Sequence, residues 1–240
     1  MKSKVFNNLF EFWGFVADKN QFLFKNNQYY YSLPKNGSWP KTIFKIDSKS
    51  INLNKLKSKI TIDEIPNSIC VPDDYFLELI LKDSNFYLKS EVKAMVLDAQ
   101  SIANKNENFE SVQRVKTDKE VKLFSKIASK SFRYNIPFEI FKNLIKYSNT
   151  IELYIQKYKN EYVSCGLIFI DELGNVGLHM IGTLENYRGF GLGKIMTNKL
   201  LFEAKKYSSN HIVLVASESG EKIYSKIGFQ TYGVLKTFAL

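Results

Sequence analysis

The chain has 240 residues, which at about 150 residues per domain allows one or two domains. Hydrophobic residues make up 45% and charged residues 24%, with only 12 Gly and 5 Pro, so wholesale disorder, disulfide-stapled mini-proteins and collagen-like or low-complexity chains are excluded. Basic residues exceed acidic ones by 34 − 24 = 10, yet only Arg114, Arg133 and Arg188 are arginines and the lysines are spread evenly, so a solvated surface is expected and no nucleic-acid partner.

The first residues carry Val5, Leu9, Phe12 and Val16 at helical spacing, which predicts an amphipathic helix rather than a signal-peptide core, since Asn7, Asn8 and Glu11 interrupt the run. No stretch approaches 18 apolar residues, so no membrane span is expected and the cytoplasm is the default location. Residues 21–34 read as two strands around a Lys25–Gln28 turn, followed by a Gly/Pro loop from Pro34 to Pro40 and a strand over 42–46. Residues 71–83 open with Pro72 and two Asp and then run apolar at helical spacing, which predicts a helix. Asn85–Leu88 and Val92–Leu97 read as two further strands. The polar stretch Ala103–Glu110 lacks periodicity and reads as a linker, dividing an amino-terminal α/β lobe (1–108) from a second domain (109–240).

Beyond it, residues 111–115 read as a short strand. Thr117 and Glu120 have capping-box spacing and open a helix with Val121, Phe124, Ile127 and Ala128 on one face. Pro137 begins a second helix through Tyr147. Strands follow at 151–158, 162–170 and 175–183 as an antiparallel meander, then a helix from about Gly191 to Tyr207. His211–Ala216 is the continuous apolar run of a central strand. A helix from about Ser219 ends at Gly228, and a last strand covers roughly Phe229 to Phe238. No internal repeat is visible. Cys70 and Cys165 are far apart, each beside apolar residues, and read as core thiols; with His179 and His211 as the only histidines, no metal site is expected.

The sharpest local signal is Arg188-Gly189-Phe190-Gly191-Leu192-Gly193 between a strand and a helix. Three positions without β-carbons let backbone N–H groups converge on an anion, the following helix adds its positive end, and Arg188 and Lys194 add charge. A pyrophosphate is the natural guest. The G-x-G-x-G order, late in the chain, is not that of a dinucleotide-binding βαβ unit, and Gly193-Lys194-Ile195 lacks the Ser/Thr of a Walker loop.

Two segments carry a family resemblance. Thr183–Gly193 (TLENYRGFGLG) resembles the T-x-P-x-Y-R-G-x-G-x-G form of the GNAT superfamily of acyl-CoA-dependent N-acyltransferases, with Glu185 where Pro is frequent. Ala216–Phe229 (ASESGEKIYSKIGF) resembles that superfamily's A-S-x-x-G-x-x-x-Y-x-x-x-G-F ending. The resemblance covers residues 111–240, and the order of elements in the first half resembles the degenerate GNAT-like half of two-lobed members. It implies a mixed α/β fold, a mostly antiparallel sheet flanked by helices.

It also implies acetyl-CoA as acyl donor and a primary amine, on a small molecule or peptide, as acceptor. Arg188, Gly189, Phe190, Gly191, Leu192, Gly193 and Lys194 match the family's pyrophosphate loop. Ile181, Gly182 and Thr183 match the strand end that pairs with pantetheine, and Ser217 stands where an Asn often touches the same arm. Tyr224 matches the general acid that protonates the departing thiolate. Strand alternation puts His179 on the face of Ile181 and Thr183, which makes it the candidate base. Glu185 is a weaker rival, and His211 is expected to be structural. An intact Tyr224 argues for an enzyme over the alternative, a non-catalytic acyl-CoA-binding regulatory module.

Overall fold

A computed structural model describes residues 1–102, 108–207 and 211–240. Helix α1 (Lys2–Lys19) buries Val5, Leu9, Phe12 and Val16, the stripe expected from their spacing. Short strands β1 (Leu23–Lys25), β2 (Tyr30–Ser32) and β3 (Thr42–Phe44) follow. Helix α2 (Leu53–Thr61) and strand β4 (Ile69–Pro72) are elements that the sequence reading did not include. Helix α3 (Tyr75–Asp83) is capped by Asp74. The two strands expected between 85 and 97 are one, β5 (Tyr87–Asp98). The expected linker 103–110 lies largely outside the described residues.

The second half matches its expected elements closely. They are β6 (Val112–Arg114), α4 (Asp118–Phe132), α5 (Phe138–Lys142), β7 (Ile151–Tyr158), β8 (Glu161–Ile170), β9 (Val176–Thr183), α6 (Leu192–Ala204), β10 (His211–Ala216), α7 (Glu218–Ile227) and β11 (Gln230–Ala239). The Thr117–Glu120 capping box forms, and Gly228 ends α7 in the left-handed region. Helix α5 stops at Lys142, short of Tyr147.

All strands join one sheet in the order β1-β2-β3-β4-β11-β5-β10-β9-β8-β7-β6. Most neighbours are antiparallel; β3–β4 and β9–β10 are parallel. Helices α1, α4 and α5 cover one face, where Phe12, Val16, Phe124 and Phe141 meet Leu153, Cys165 and Phe169. Helices α6 and α7 cover the other face over β8–β10, and α2 and α3 cover it over β3 and β4. None of the helices is long and apolar enough to cross a membrane, among the described residues.

The strand order hides a repeat. In each half a strand, a helix, a parallel strand, a helix and an antiparallel strand follow one another: β3-α2-β4-α3-β5 and β9-α6-β10-α7-β11. The halves exchange their last strands. β5 of the first half pairs with β10 of the second, β11 of the second pairs with β4 of the first, and β5 and β11 pair with each other over nine residue pairs. What repeats is topology and core position rather than residue identity, so the sequence reading saw none.

This exchange generates a test. Residues 109–240 alone would leave β10 and β11 without the strand between them and strip α1 from the face it covers. That fragment is expected to show no cooperative thermal transition by circular dichroism. A sharp transition like that of the full chain would refute this interdependence.

Candidate active site

Strands β9 and β10 pair only at Ile212–Val176 and Val213–Gly177. Beyond these two pairs they part, and a slot opens between Leu178–Thr183 and Leu214–Ala216. The cause lies on the other edge of β9. Its register against β8 steps from Leu167–His179 to Cys165–Gly182, so Met180 and Ile181 together face the single Gly166. This is a β-bulge, and Met180 takes the left-handed conformation at φ 53°. The bulge turns the strand end away from β10.

The bulge also decides which side chains face where, because directly opposed residues share a face. His179 lies opposite Leu167, and Gly182 opposite Cys165, both on the α1/α4 face. Ile181 and Thr183 therefore face the α6/α7 side; Ile181 packs against the apolar cluster that includes Met196, Ala216 and Tyr224. Alternation had put His179 with Ile181 and Thr183, and the structure corrects this. The His179 ring is 6% exposed, stacks on Phe12 at 4.5 Å between centroids, and lies 2.8 Å from Asn8 Oδ1 through Nε2. Since the Asn8 amide donates to Asp171 Oδ2 and to the Asn175 carbonyl, Asn8 Oδ1 accepts and His179 Nε2 donates. Burial pushes the imidazole down to about 3. His179 is a neutral packing residue under α1, walled off from the slot.

Ile181, Gly182 and Thr183 form the strand end beside the slot. The Leu184 N–H bonds to the Val163 carbonyl at 2.9 Å, so by antiparallel alternation Thr183 turns its own amide and carbonyl away from β8, toward the open side. Ser164, fully buried, donates to the Gly182 carbonyl at 2.9 Å and lies 3.1 Å from Thr183 Oγ1. Nothing in the sequence singled it out; its role depends on register. Gly182 must be small, because a Cβ there would sit 2.7 Å from Ser131 Cβ.

The glycine loop lies at the end of β9. Gly189 and Gly191 adopt φ 87° and 76°, conformations that glycine takes without strain, and open space surrounds both. Gly191 is the N-cap of α6 and offers no capping side chain. Helical bonding begins with the Lys194 N–H on the Gly191 carbonyl, so the amides of residues 189–193 have no partner among the described residues. Arg188 Nε donates to the Thr183 carbonyl at 3.3 Å, fastening the loop to the strand. Leu192 buries its side chain and anchors the helix start, while Phe190 is 58% exposed and leans on Tyr158. Lys194 is exposed.

Tyr224 sits on α7 at 9% exposure, its ring against Phe229 and in one apolar cluster with Ala216, Met196 and Ile181. Its hydroxyl makes no hydrogen bond among the described residues, and burial raises it above the usual tyrosine value. Ser217 is exposed at the end of β10, where it caps α7 through the Gly220 N–H at 3.3 Å. Glu185 is a surface residue facing Arg133. Cys165 is buried and pushed up to about 12, so its thiol stays protonated. The structure thus gathers Ile181–Thr183, Arg188–Lys194, Ser217 and Tyr224 around one slot and excludes His179.

The model of a GNAT acetyltransferase domain matches residues 112–238. Comparison with curated protein sequences finds no match. Among solved structures, the chain is similar to a GCN5-related N-acetyltransferase from Kribbella flavida, at 13% identity over 94% of this chain and 93% of that one, with a TM-score of 0.68. It is similar also to a GNAT-family protein from Novosphingobium aromaticivorans, at 8% identity over 95% and 96%, TM-score 0.62. A GNAT-family acetyltransferase from Colwellia psychrerythraea follows at 13% identity over 90% and 82%, TM-score 0.55.

The reassignment of His179 has a measurable signature. Unfolded, the imidazole takes a proton near 6.5; folded, only near 3. Its contribution is therefore complete above about pH 6.5 and is lost as pH falls toward 3, at up to about 1.4 kcal/mol per pH unit. Urea midpoints of the wild type should fall more steeply between pH 6.5 and 4.5 than those of His179→Gln. Parallel pH profiles would show that the ring is not buried neutral.

Proposed function

Because this chain belongs to the GNAT acetyltransferase family, we propose that it is an N-acetyltransferase that moves an acetyl group from acetyl-CoA to a primary amine by direct attack. The single observation that carries this reading is the conjunction, at one slot, of an open glycine loop, a splayed strand pair and a largely buried tyrosine whose hydroxyl has no hydrogen-bond partner among the described residues.

In this reading the free amides of residues 189–193 and the N-terminal end of α6 hold the pyrophosphate, with Arg188 and Lys194 adding charge. The pantetheine arm lies in the slot as a pseudo-strand against the Ile181 and Thr183 backbone, with Ser217 at its far end. An amide at the bulge polarises the thioester carbonyl. The amine nitrogen forms a bond to the carbonyl carbon, the C–S bond breaks, and the thiolate takes the Tyr224 proton. A hydroxyl raised above the usual tyrosine value stays protonated across the neutral range and is there to give its proton as the C–S bond breaks. With His179 walled off, the amine proton leaves to water, or the amine arrives neutral.

Two outcomes test this. Acetyl-CoA at 100 times its dissociation constant should stabilise the protein by about 2.7 kcal/mol, read as a thermal shift. No shift with acetyl-CoA, CoA or longer acyl-CoAs would remove the reading.

Tyr224→Phe should keep acetyl-CoA affinity and lower kcat by roughly 10²–10⁴-fold. An acid must be protonated, so the wild-type rate should fall only at high pH, above the usual tyrosine range, and the variant should lose that limb. The acidic limb should follow the pKa of whichever amine is supplied and survive in His179→Gln. Wild-type kcat in Tyr224→Phe would leave the tyrosine a packing residue and favour a binding module or another acid.

A further inference from the structure

Helix α4 carries its positive charge in one line. Lys119, Lys122, Lys126 and Lys130 recur every three or four residues, all exposed, opposite the face on which Val121, Phe124 and Ala128 are buried. Arg133, the exposed C-cap, continues the line. At 1.5 Å per residue this ridge is about 21 Å long. The acids nearby are engaged elsewhere. Asp118 pairs with Lys142 at 2.7 Å, and Glu139 of α5 also acts on Lys142. Glu120 closes the capping box, where it accepts from the Lys116 and Thr117 N–H groups and from Gln113. Lys122 lies over the Phe138 ring at 5.0 Å. None of the four lysines has an ion-pair partner among the described residues. Like charges three and four residues apart on a helix repel one another, and no group among the described residues offsets that cost.

The ridge ends at the slot. Ser131 and Phe132 abut Gly182, where a Cβ would sit 2.7 Å from Ser131 Cβ and 3.0 Å from Phe132 Cε2. Arg133 lies 4.0 Å from Glu185, just past the end of β9, and both side chains are mostly exposed, so this pair neutralises little. Helix α4 covers the face of the sheet opposite Tyr224 and α6. In the acetyl-transfer reading the acyl-CoA takes up the α6/α7 side, which leaves the α4 side for the acceptor.

We propose that the acceptor amine belongs to an acidic polypeptide segment, which lies along α4 with its carboxylates on the lysine ridge and its amine at the slot. This rests on the proposed acetyl transfer. Charge complementarity selects the partner, and length selects a polymer. An extended chain covers about 21 Å with about six residues, whereas a small amine would meet one or two of the five cations. A nucleic-acid strand would meet the same charges, but no exposed aromatic stands between the cations to stack a base, and the strand brings no basic amine for the reaction.

The test uses the full chain and three synthetic peptides. Each begins Ala-Lys with a free α-amine, continues with six Glu, six Gln or six Arg, and carries a fluorophore at its far end for anisotropy. At low salt the Glu peptide should bind about tenfold tighter than the Gln peptide, and the gap should close near 1 M salt, where the screening length is about 3 Å. Thiol release from acetyl-CoA should show the same ratio in KM, with kcat unmoved. Lys122→Gln combined with Lys126→Gln and Lys130→Gln should lose the preference, and the corresponding Glu variant should favour the Arg peptide. The thermal shift with acetyl-CoA should stay unchanged in both and reports that each is folded. Equal affinity for the Glu and Gln peptides, a preference that survives charge reversal, or tighter binding of a labelled six-nucleotide RNA would each overturn the acidic acceptor while leaving acyl transfer standing. No acetyl-CoA shift in the wild type would overturn both.

Discussion

The bulge at Met180–Ile181 is the constraint on which the site depends. A regular β9 would keep pairing with β10 to the end of both strands, and no slot would exist. Two residues against one on β8 bend the strand away and turn Ile181 and Thr183 toward the α6/α7 side. Ser164 supports the strand end from the buried side through the Gly182 carbonyl, and Arg188 ties the glycine loop to Thr183. The left-handed backbone of Met180 carries strain of order 1 kcal/mol or more, held in place by this surrounding pairing.

Much of the second half was legible because its signals are local. Turn residues separate β7, β8 and β9, glycine marks both ends of the α6–α7 region, and a continuous apolar run marks β10. The loop and Tyr224 were legible for the same reason, since short spacings carry them. His179 was misplaced because its face depends on a bulge, and a bulge is a property of pairing between two strands. Met180 is an ordinary residue that announces nothing. Strand β5 was read as two because Lys89-Ser90-Glu91 breaks the apolar pattern; there the strand runs past the end of β10 and is exposed, so no alternation is required. Helix α2 was missed although Leu53, Leu56 and Ile60 are at helical spacing and Asn52 is a good cap.

Helix α1 ties the two halves together across the sheet. Val5, Leu9 and Phe10 pack on strands of both halves, and Asn8 joins the buried network of Asp171, Asn175 and His179. These four side chains bond to one another and to the backbone, which offsets the cost of placing polar groups beneath a helix.

The exchange of last strands also orders events in time. Strand β11 fills the place between β4 and β5, yet it is made about 140 residues after β5. At roughly 5–20 residues per second, the ribosome takes on the order of ten to thirty seconds to supply it. During that interval the nascent first half holds two open strand edges, on β4 and on β5, that β11 closes. Lys89 and Glu91 put charge on the exposed part of β5, and charged side chains on an open strand disfavour pairing between chains.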